Sequence, residues 1–376
     1  MQGLHLLADN DDISREDYAK VRTLLDAVRA LHLGAPGYVA ERRLDPAVFL
    51  PGNIWGELNT PDHFTNWTYG LVNYAKCVSP FSGFHSMMWG RLDRPGQVDA
   101  ARSGHLYARF LHGALDYTEL GAVLEREFDL SGRIRADLPR MTAFYDDMVA
   151  VVPERYRIAV PPRGGEIGAW HNGRIVHQDL IAYQRRVNAL FAGGALQHIE
   201  ETIASRGSAN YLEIGPGHGF FAYALAECFA GALNVFLIDL PLVIGNGCAY
   251  LSCAAGVDSI GLVTPDTASA VTKPFVYIPN HLVPAYERFL PQVDLVHNTS
   301  SFNEMNAQQV AYYFDLVERH LAPGGIFHIA GGLKVLDYHV DAATAARERF
   351  PGLTVYPDRE IAGVLVGERP NSFIRR

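Results

Sequence analysis

The chain has 376 residues, is 48% hydrophobic and 19% charged, and carries a formal net charge of −9. That length suggests about two domains, each able to bury a core without disulfide or metal staples. The composition excludes disorder, collagen and coiled coil. With 32 basic against 41 acidic residues it also argues against a general nucleic-acid binder, which needs cations to neutralise phosphates.

No apolar run reaches the ~20 residues of a membrane span. The longest, 233–245, is interrupted by Asp239. The N-terminus lacks the basic start and apolar run of a signal peptide, so a cytoplasmic protein with no membrane partner is expected. Cys77, Cys228, Cys248 and Cys253 form no C-x-x-C pair and are expected as free thiols. The 15 histidines include no H-E-x-x-H, and the acidic residues form no obvious cluster, so no metal is expected.

In chain order, Tyr18, Val21, Leu25 and Val28 fall at helical spacing, as do Leu106, Phe110, Leu111 and Leu115. Between them lies an aromatic stretch, 51–95, with Trp55, Phe64, Trp67, Tyr69, Phe84 and Trp89. It is too apolar for a free linker and is expected to pack on a core, line a pocket or form an interface. Pro and Gly punctuate 160–165, the predicted boundary between a mainly helical region (1–165) and a second domain (166–376). One long helix is predicted through Leu180, Tyr183, Val187, Leu190, Phe191, Leu196, Ile199 and Ile203.

From Asn210 onward strands alternate with helices. Apolar runs at 211–214, 235–238, 275–278, 295–297 and 326–330 are predicted strands, with helices starting at Phe220 and running through Val310, Tyr313, Phe314 and Val317. That alternation implies a parallel sheet with crossover helices. A last strand is expected at 361–367, with a hairpin to 353–356.

The strongest motif is Tyr211-Leu-Glu-Ile-Gly-Pro-Gly-His-Gly-Phe220. Its glycines allow a sharp turn and close approach of a ligand to the backbone. Exposed N–H groups at the following helix N-terminus favour a carboxylate or phosphate. A dinucleotide fingerprint G-x-G-x-x-G would need glycine at position 220, which is Phe220. Instead Glu213 precedes Gly215, Gly217 and Gly219, and Val235-Phe-Leu-Ile-Asp239 ends 20 residues after Gly219. Leu321-Ala-Pro-Gly-Gly325 precedes a further apolar run.

These three motifs in order resemble class I S-adenosylmethionine-dependent methyltransferases. The resemblance covers roughly residues 175–376. It implies an α/β, Rossmann-like domain: a mostly parallel seven-stranded sheet with helices on both faces, preceded here by a mainly helical region. It implies S-adenosylmethionine as cofactor. Glu213 would engage its methionine part, Gly215, Gly217 and Gly219 would pass against it, and Asp239 with Leu240 would meet the ribose. Asn280 would lie near the adenine amine, Asn298 beneath the sulfonium, and Tyr183 and Gln184 near the carboxylate.

Other segments are similar to a family of sugar O-methyltransferases of antibiotic and glycan biosynthesis clusters. They are Gly173-Arg-Ile-Val-His-Gln-Asp179, Tyr183-Gln-Arg-Arg-Val-Asn188, Ile238-Asp-Leu-Pro241 and His297-Asn-Thr-Ser-Ser-Phe-Asn-Glu-Met305. The implied activity is methyl transfer to a hydroxyl of a sugar or other small natural-product intermediate. A hydroxyl needs a base at the transition state. Glu304, His281 and His297 are the candidates, in that order. Their bland readings are a helix-capping carboxylate, a surface histidine and a satisfied core histidine. A nitrogen or carbon acceptor on the same fold is the alternative. An NAD-dependent oxidoreductase and a non-catalytic cofactor-binding subunit rank below it. The expected partners are a small-molecule acceptor and a second copy in a homodimer.

Overall fold

The computed structural model describes residues 4–5, 15–52, 130–161, 168–176, 178–331, 340–350, 354–356 and 371–375. The aromatic stretch beyond residue 52, the predicted helix through Leu106–Leu115, Cys77 and the predicted strand 361–367 lie outside these residues.

Helix α1 (Arg15–Glu41) buries Val21, Leu25, Val28, Leu31, Ala35 and Val39, spaced so that they share one face. A short helix α2 (Pro46–Phe49) follows, with Asp45 accepting the N–H of Ala47 as its N-cap. Helix α3 (Leu130–Ala150) leads to a small antiparallel sheet of β1 (Leu4–His5), β2 (Gly168–His171) and β3 (Arg174–Val176).

The single helix predicted through residues 180–203 is two helices, α4 (Gln178–Ala192) and α5 (Ala195–Arg206). The break falls at Gly193-Gly194, where Gly194 has φ +76°. That left-handed conformation ends one helix and lets the next start at a new angle. The apolar stripe continues across the break because both helices bury Leu and Ile on the same core.

The main sheet contains β4 (Ala209–Ile214), β5 (Leu233–Asp239), β6 (Ile260–Leu262), β7 (Phe275–Pro279), β8 (Val293–Thr299), β9 (Leu321–Ala330), β10 (Thr354–Tyr356) and β11 (Asn371–Arg375). Its order is β10-β11-β9-β8-β4-β5-β7-β6. Six neighbouring strands, β6, β7, β5, β4, β8 and β9, run parallel. β11 joins β9 antiparallel, and β10 joins β11 antiparallel. This is the mostly parallel sheet expected, with its count corrected. The parallel array has six strands and the whole described sheet eight, not seven. The strand paired with β10 is β11, at Asn371–Arg375, and not the 361–367 segment expected as its hairpin partner.

Crossover helices α6 (Phe220–Cys228), α7 (Pro241–Leu251), α8 (Val283–Tyr286), α9 (Ser301–Glu304), α10 (Ala307–His320) and α11 (Ala342–Arg349) flank the sheet. Two hydrophobic cores form, one on each face. Tyr211, Val235, Leu237, Phe275 and Tyr277 enter the first with α1, α4, α5, α6 and α7. Leu212, Ile214, Phe236, Ile238, Val276 and Ile278 enter the second with α10 and α11. Burial on both faces is why these strands read as continuous apolar runs. Cys248 and Cys253 are buried, Cys228 is half-buried, and the three form no disulfide among the described residues. Among the described residues no helix is long and apolar enough to cross a membrane.

The N-terminal segment is built into the sheet domain's packing. Nδ2 of Asn306 donates to the Ala47 carbonyl, and Nδ2 of Asn280 donates to that of Phe49. Gln309 Nε2 donates to Val48. These amides strap residues 46–52 across the C-terminal ends of the parallel strands, where open α/β sheets bind ligands.

Candidate active site

The glycine turn leaves β4 at Ile214. Gly215 donates its N–H to the Ile238 carbonyl at 2.8 Å, so the turn is zipped to the end of β5. Gly215, Gly217 and Gly219 all have positive φ, +73°, +60° and +84°. The first and third have distinct steric reasons. A Cβ on Gly215 would collide with the side chain of Ser301, whose hydroxyl donates to the Gly215 carbonyl at 3.0 Å. One on Gly219 would lie 2.8 Å from the Tyr277 hydroxyl. Gly219 therefore makes room for a buried tyrosine behind the turn.

A cavity of about 470 Å³ opens at this turn. Its size is that of a drug- or cofactor-sized site. Of the residues expected to bind cofactor, Tyr183, Glu213, Gly215, Gly217, Asp239, Leu240 and Asn280 line it, and so does the candidate base Glu304. Pro51 and Gly52 of the N-terminal strap, Arg186, Thr299, Ser300, Ser301, Met305 and Tyr313 complete much of the wall.

Glu213 is buried, with Oε2 accepting the Tyr211 hydroxyl at 2.9 Å. Burial pushes its carboxyl up to about 8, and Asp239 nearby adds to the rise. The Tyr211 hydrogen bond and the Arg186 charge pull against it. Asp239 sits at the cavity wall and accepts two backbone N–H groups, from Leu240 at 2.8 Å and Gly217 at 3.2 Å. Burial pushes it up to about 7, the two N–H bonds oppose that, and the Glu304 charge adds to it. Desolvation thus outweighs local hydrogen bonding at both groups. Such a pair is poised to take up positive charge or hydroxyl donors.

Asn280 is 3% exposed; its Nδ2 is spent on Phe49, while Oδ1 has no hydrogen-bond partner. A buried acceptor without a donor costs about 1–3 kcal/mol, which a ligand N–H would recover.

Five expected site residues stand away from the cavity wall. Gly219 lies behind the turn. Gln184 is fully buried: Oε1 accepts the Ile158 N–H at 2.9 Å, and Nε2 donates to the Tyr156 carbonyl and Asn188 Oδ1. Its amide ties α4 to the 153–158 turn and has nothing left for a ligand. Asn298 pins the glycine turn, with Nδ2 donating to the Ile214 carbonyl at 2.7 Å and Oδ1 accepting the Phe302 N–H. His281 is buried rather than a surface residue, packed edge-on against Tyr38, and burial lowers it to about 4. His297 is fully buried, with Nδ1 2.9 Å from His328 Nδ1 and Nε2 2.7 Å from Thr299 Oγ1. Burial holds it neutral, well below its ordinary value. Of the three candidate bases, the described cavity contains Glu304.

Thr299 and Ser301 also line the cavity, and their place directly after the apolar run of β8 is the sequence signal for it. Ser300 between them has φ +61°, an uncommon conformation for a residue with a Cβ. Among the described residues, no group of three His, Cys, Asp or Glu side chains could hold a metal ion.

No family model matches the sequence, and no curated protein matches it. The structure is similar to solved methyltransferases. One is precorrin-6y C5,15-methyltransferase from Geobacter metallireducens, at 14% identity and TM-score 0.32, over 49% of this chain and 86% of that one. Another is an O-methyltransferase from Bacillus cereus in complex with SAH, at 12% identity and TM-score 0.33, over 49% of this chain and 79% of that one. A third is an O-methyltransferase from Streptomyces achromogenes involved in tomaymycin synthesis, in complex with SAM. It is 16% identical with TM-score 0.33, over 49% of this chain and 79% of that one.

Proposed function

We propose that the chain is an S-adenosylmethionine-dependent O-methyltransferase whose acceptor is a hydroxyl of a sugar or another small natural-product intermediate. One observation carries the reading. Glu213 and Asp239, at the ends of adjacent parallel strands, flank Gly215 and Gly217 in a single cavity. Asp239 suits a pair of ribose hydroxyls, and Glu213 suits an ammonium group. Asn280 Oδ1 suits the exocyclic amine of adenine. A pyrophosphate would instead bring its negative charges against Glu213, Asp239 and Glu304.

The bound cofactor supplies a methyl group on a sulfonium. The protein's contribution is alignment and a proton acceptor. The glycine turn and the loop after β8 hold each other through Asn298 and Ser301, which fixes the floor of the site. Holding the reactants in line is worth about 7–11 kcal/mol of barrier in favourable cases. Glu304, in α9, accepts the proton of the acceptor hydroxyl as the new bond forms, a contribution of ~10²–10⁴ in rate. In this reading the N-terminal region, of which Pro51 and Gly52 line the cavity, serves substrate or dimer contacts, and the C-terminal region holds the cofactor.

Calorimetric titration with S-adenosylhomocysteine, with NAD as control, tests the cofactor. Micromolar binding of the former and none of the latter is expected. Incubation with methyl-labelled donor and a panel of hydroxylated and amine acceptors then tests the reaction. Label recovered as a methyl ether supports the reading. Binding of NAD alone, or label on nitrogen or carbon alone, overturns it.

A further inference from the structure

Four successive carbonyls of the N-terminal strap, those of Ala47, Val48, Phe49 and Leu50, accept side-chain amide N–H groups. Two of the three donors cap α10. The amide oxygens of Asn306 and Gln309 each accept the other's backbone N–H, at 2.9 and 3.0 Å, which closes the first turn of that helix. Their NH₂ groups are left for the strap. Asn306 donates to Ala47 at 2.8 Å, and Gln309 to Val48 at 3.2 Å and Leu50 at 3.4 Å. Both amides are spent at both ends.

Asn280, directly after β7, differs. Its Nδ2 donates to the Phe49 carbonyl at 2.9 Å. Only an N–H can do so, which puts Oδ1 at the other corner of the planar amide. That oxygen is buried and unpartnered, on a residue of the cavity wall. Phe49 itself is buried edge-on against Tyr312, with ring centroids 4.8 Å apart, and the strap ends in Pro51 and Gly52 of the same wall. One amide thus joins an acceptor in the cavity to the carbonyl that seats the strap. A ligand N–H at Oδ1 fixes the amide plane and so the direction of Nδ2. It also strengthens the bond to Phe49, because hydrogen bonds in a chain polarise one another. By reciprocity, whatever the ligand adds to the seating of the strap, the seated strap adds to the affinity.

We propose that Asn280 couples ligand binding to seating of the strap: an adenine amine donating to Oδ1 locks residues 46–52 in place through Nδ2 and sets the wall of Pro51 and Gly52 against the ligand. The proposal rests on the cofactor reading above. Asn306 and Gln309 hold the strap with or without ligand, and Asn280 is the conditional tie.

Hydrogen exchange of the Val48, Phe49 and Leu50 amides reads the strap, since all three donate within it, to the Asp45 and Pro46 carbonyls. Saturating S-adenosylhomocysteine is expected to slow their exchange in wild type by about 5- to 150-fold, the usual span of coupling between sites. Its 6-deamino analogue, with purine in place of adenine, brings no amine and should slow exchange little at the same occupancy, set by calorimetry. Asn280→Asp keeps an acceptor for the amine and removes the donor to Phe49. It should bind S-adenosylhomocysteine and leave the three amides unprotected. If that variant does not fold, the analogue decides, and if the analogue does not bind, the variant decides. Equal protection by the two ligands, full protection in Asn280→Asp, or binding without protection in wild type overturns the coupling while the cofactor reading stands. Wild type that does not bind S-adenosylhomocysteine overturns the cofactor reading and the coupling with it.

Discussion

The N–H of Gly217 donates to Asp239 Oδ2 at 3.2 Å, so the middle of the glycine turn is held by the carboxylate that ends β5. Asp239 Oδ1 accepts Leu240 N–H at 2.8 Å. Both oxygens are thus engaged by backbone donors while the group still lines the cavity. Asp239→Asn replaces one acceptor by an NH₂ that faces a donor. Hydrogen bonds to charged groups contribute about 1.5–3 kcal/mol. The turn loses one of its ties, so the melting temperature should fall, and S-adenosylhomocysteine affinity should fall by about 10- to 100-fold, read by calorimetry.

Affinity should also depend on pH in one direction. Glu213 is raised to about 8 and Asp239 to about 7 in the free protein. An ammonium at Glu213 and hydroxyl donors at Asp239 both favour the ionised forms. Binding must then release protons, and affinity should climb from pH 6 to about pH 8 before levelling off. Titrations at pH 7 in two buffers of different ionisation enthalpy check this. Equal apparent enthalpies would count against it.

The same raised values carry a stability cost. For an acid whose folded pKa exceeds its unfolded one, the protonated form is the better folded one. Its stabilising contribution is whole below the unfolded value and is lost as pH rises through the folded value. For Glu213 that window runs from its ordinary value of 4.5 to about 8. Glu213→Gln keeps an acceptor for the Tyr211 hydroxyl and removes the charge. The variant should melt above wild type at pH 8.5, match it near pH 4.5, and bind S-adenosylhomocysteine poorly at both. A melting temperature below wild type at pH 8.5 contradicts the account.

Much of the fold and the glycine-turn wall of the candidate cavity were legible in the sequence, for physical reasons. Strands buried on both faces must be apolar, so 211–214 and 275–278 stood out. A turn that needs φ above zero three times writes itself as Gly215, Gly217 and Gly219. Asp239 was legible because a charge at the end of an apolar run is conspicuous. What was hidden depends on orientation. The break between α4 and α5 interrupts no apolar stripe, although Gly193-Gly194 marks it. Gln184 and Arg186 lie two residues apart on one helix, and only packing tells which amide is spent on the backbone and which cation lines the cavity. Gly219 fits the motif but serves Tyr277, a partner 58 positions away.

Gly215→Ala should disable the site through Ser301. The new methyl meets the Ser301 side chain and a backbone at φ +73°. The clash is with a side chain pinned by its own hydrogen bond to residue 215, so it does not yield cheaply. Stability should drop by a few kcal/mol, as for other overpacked sites. Adding Ser301→Gly should return part of the loss, leaving about 1–2 kcal/mol of left-handed strain. No recovery in the double variant, measured by denaturant unfolding, would place the damage elsewhere.

Glu304 provides the separation of chemistry from binding. It lines the cavity, and its charge raises the pKa of Asp239. Glu304→Gln removes the proton acceptor but keeps the shape. If it is the base for a hydroxyl, kcat should fall by ~10²–10⁴. The dissociation constant for S-adenosylhomocysteine should stay within a few-fold. With the neighbouring negative charge gone, Asp239 ionises more easily, so the rise of affinity with pH should move to lower pH. The two readouts are independent. A retained kcat would mean that the acceptor needs no base from this side chain, as for an amine. An unmoved pH profile would mean that the Glu304 and Asp239 carboxylates do not face each other across the cavity.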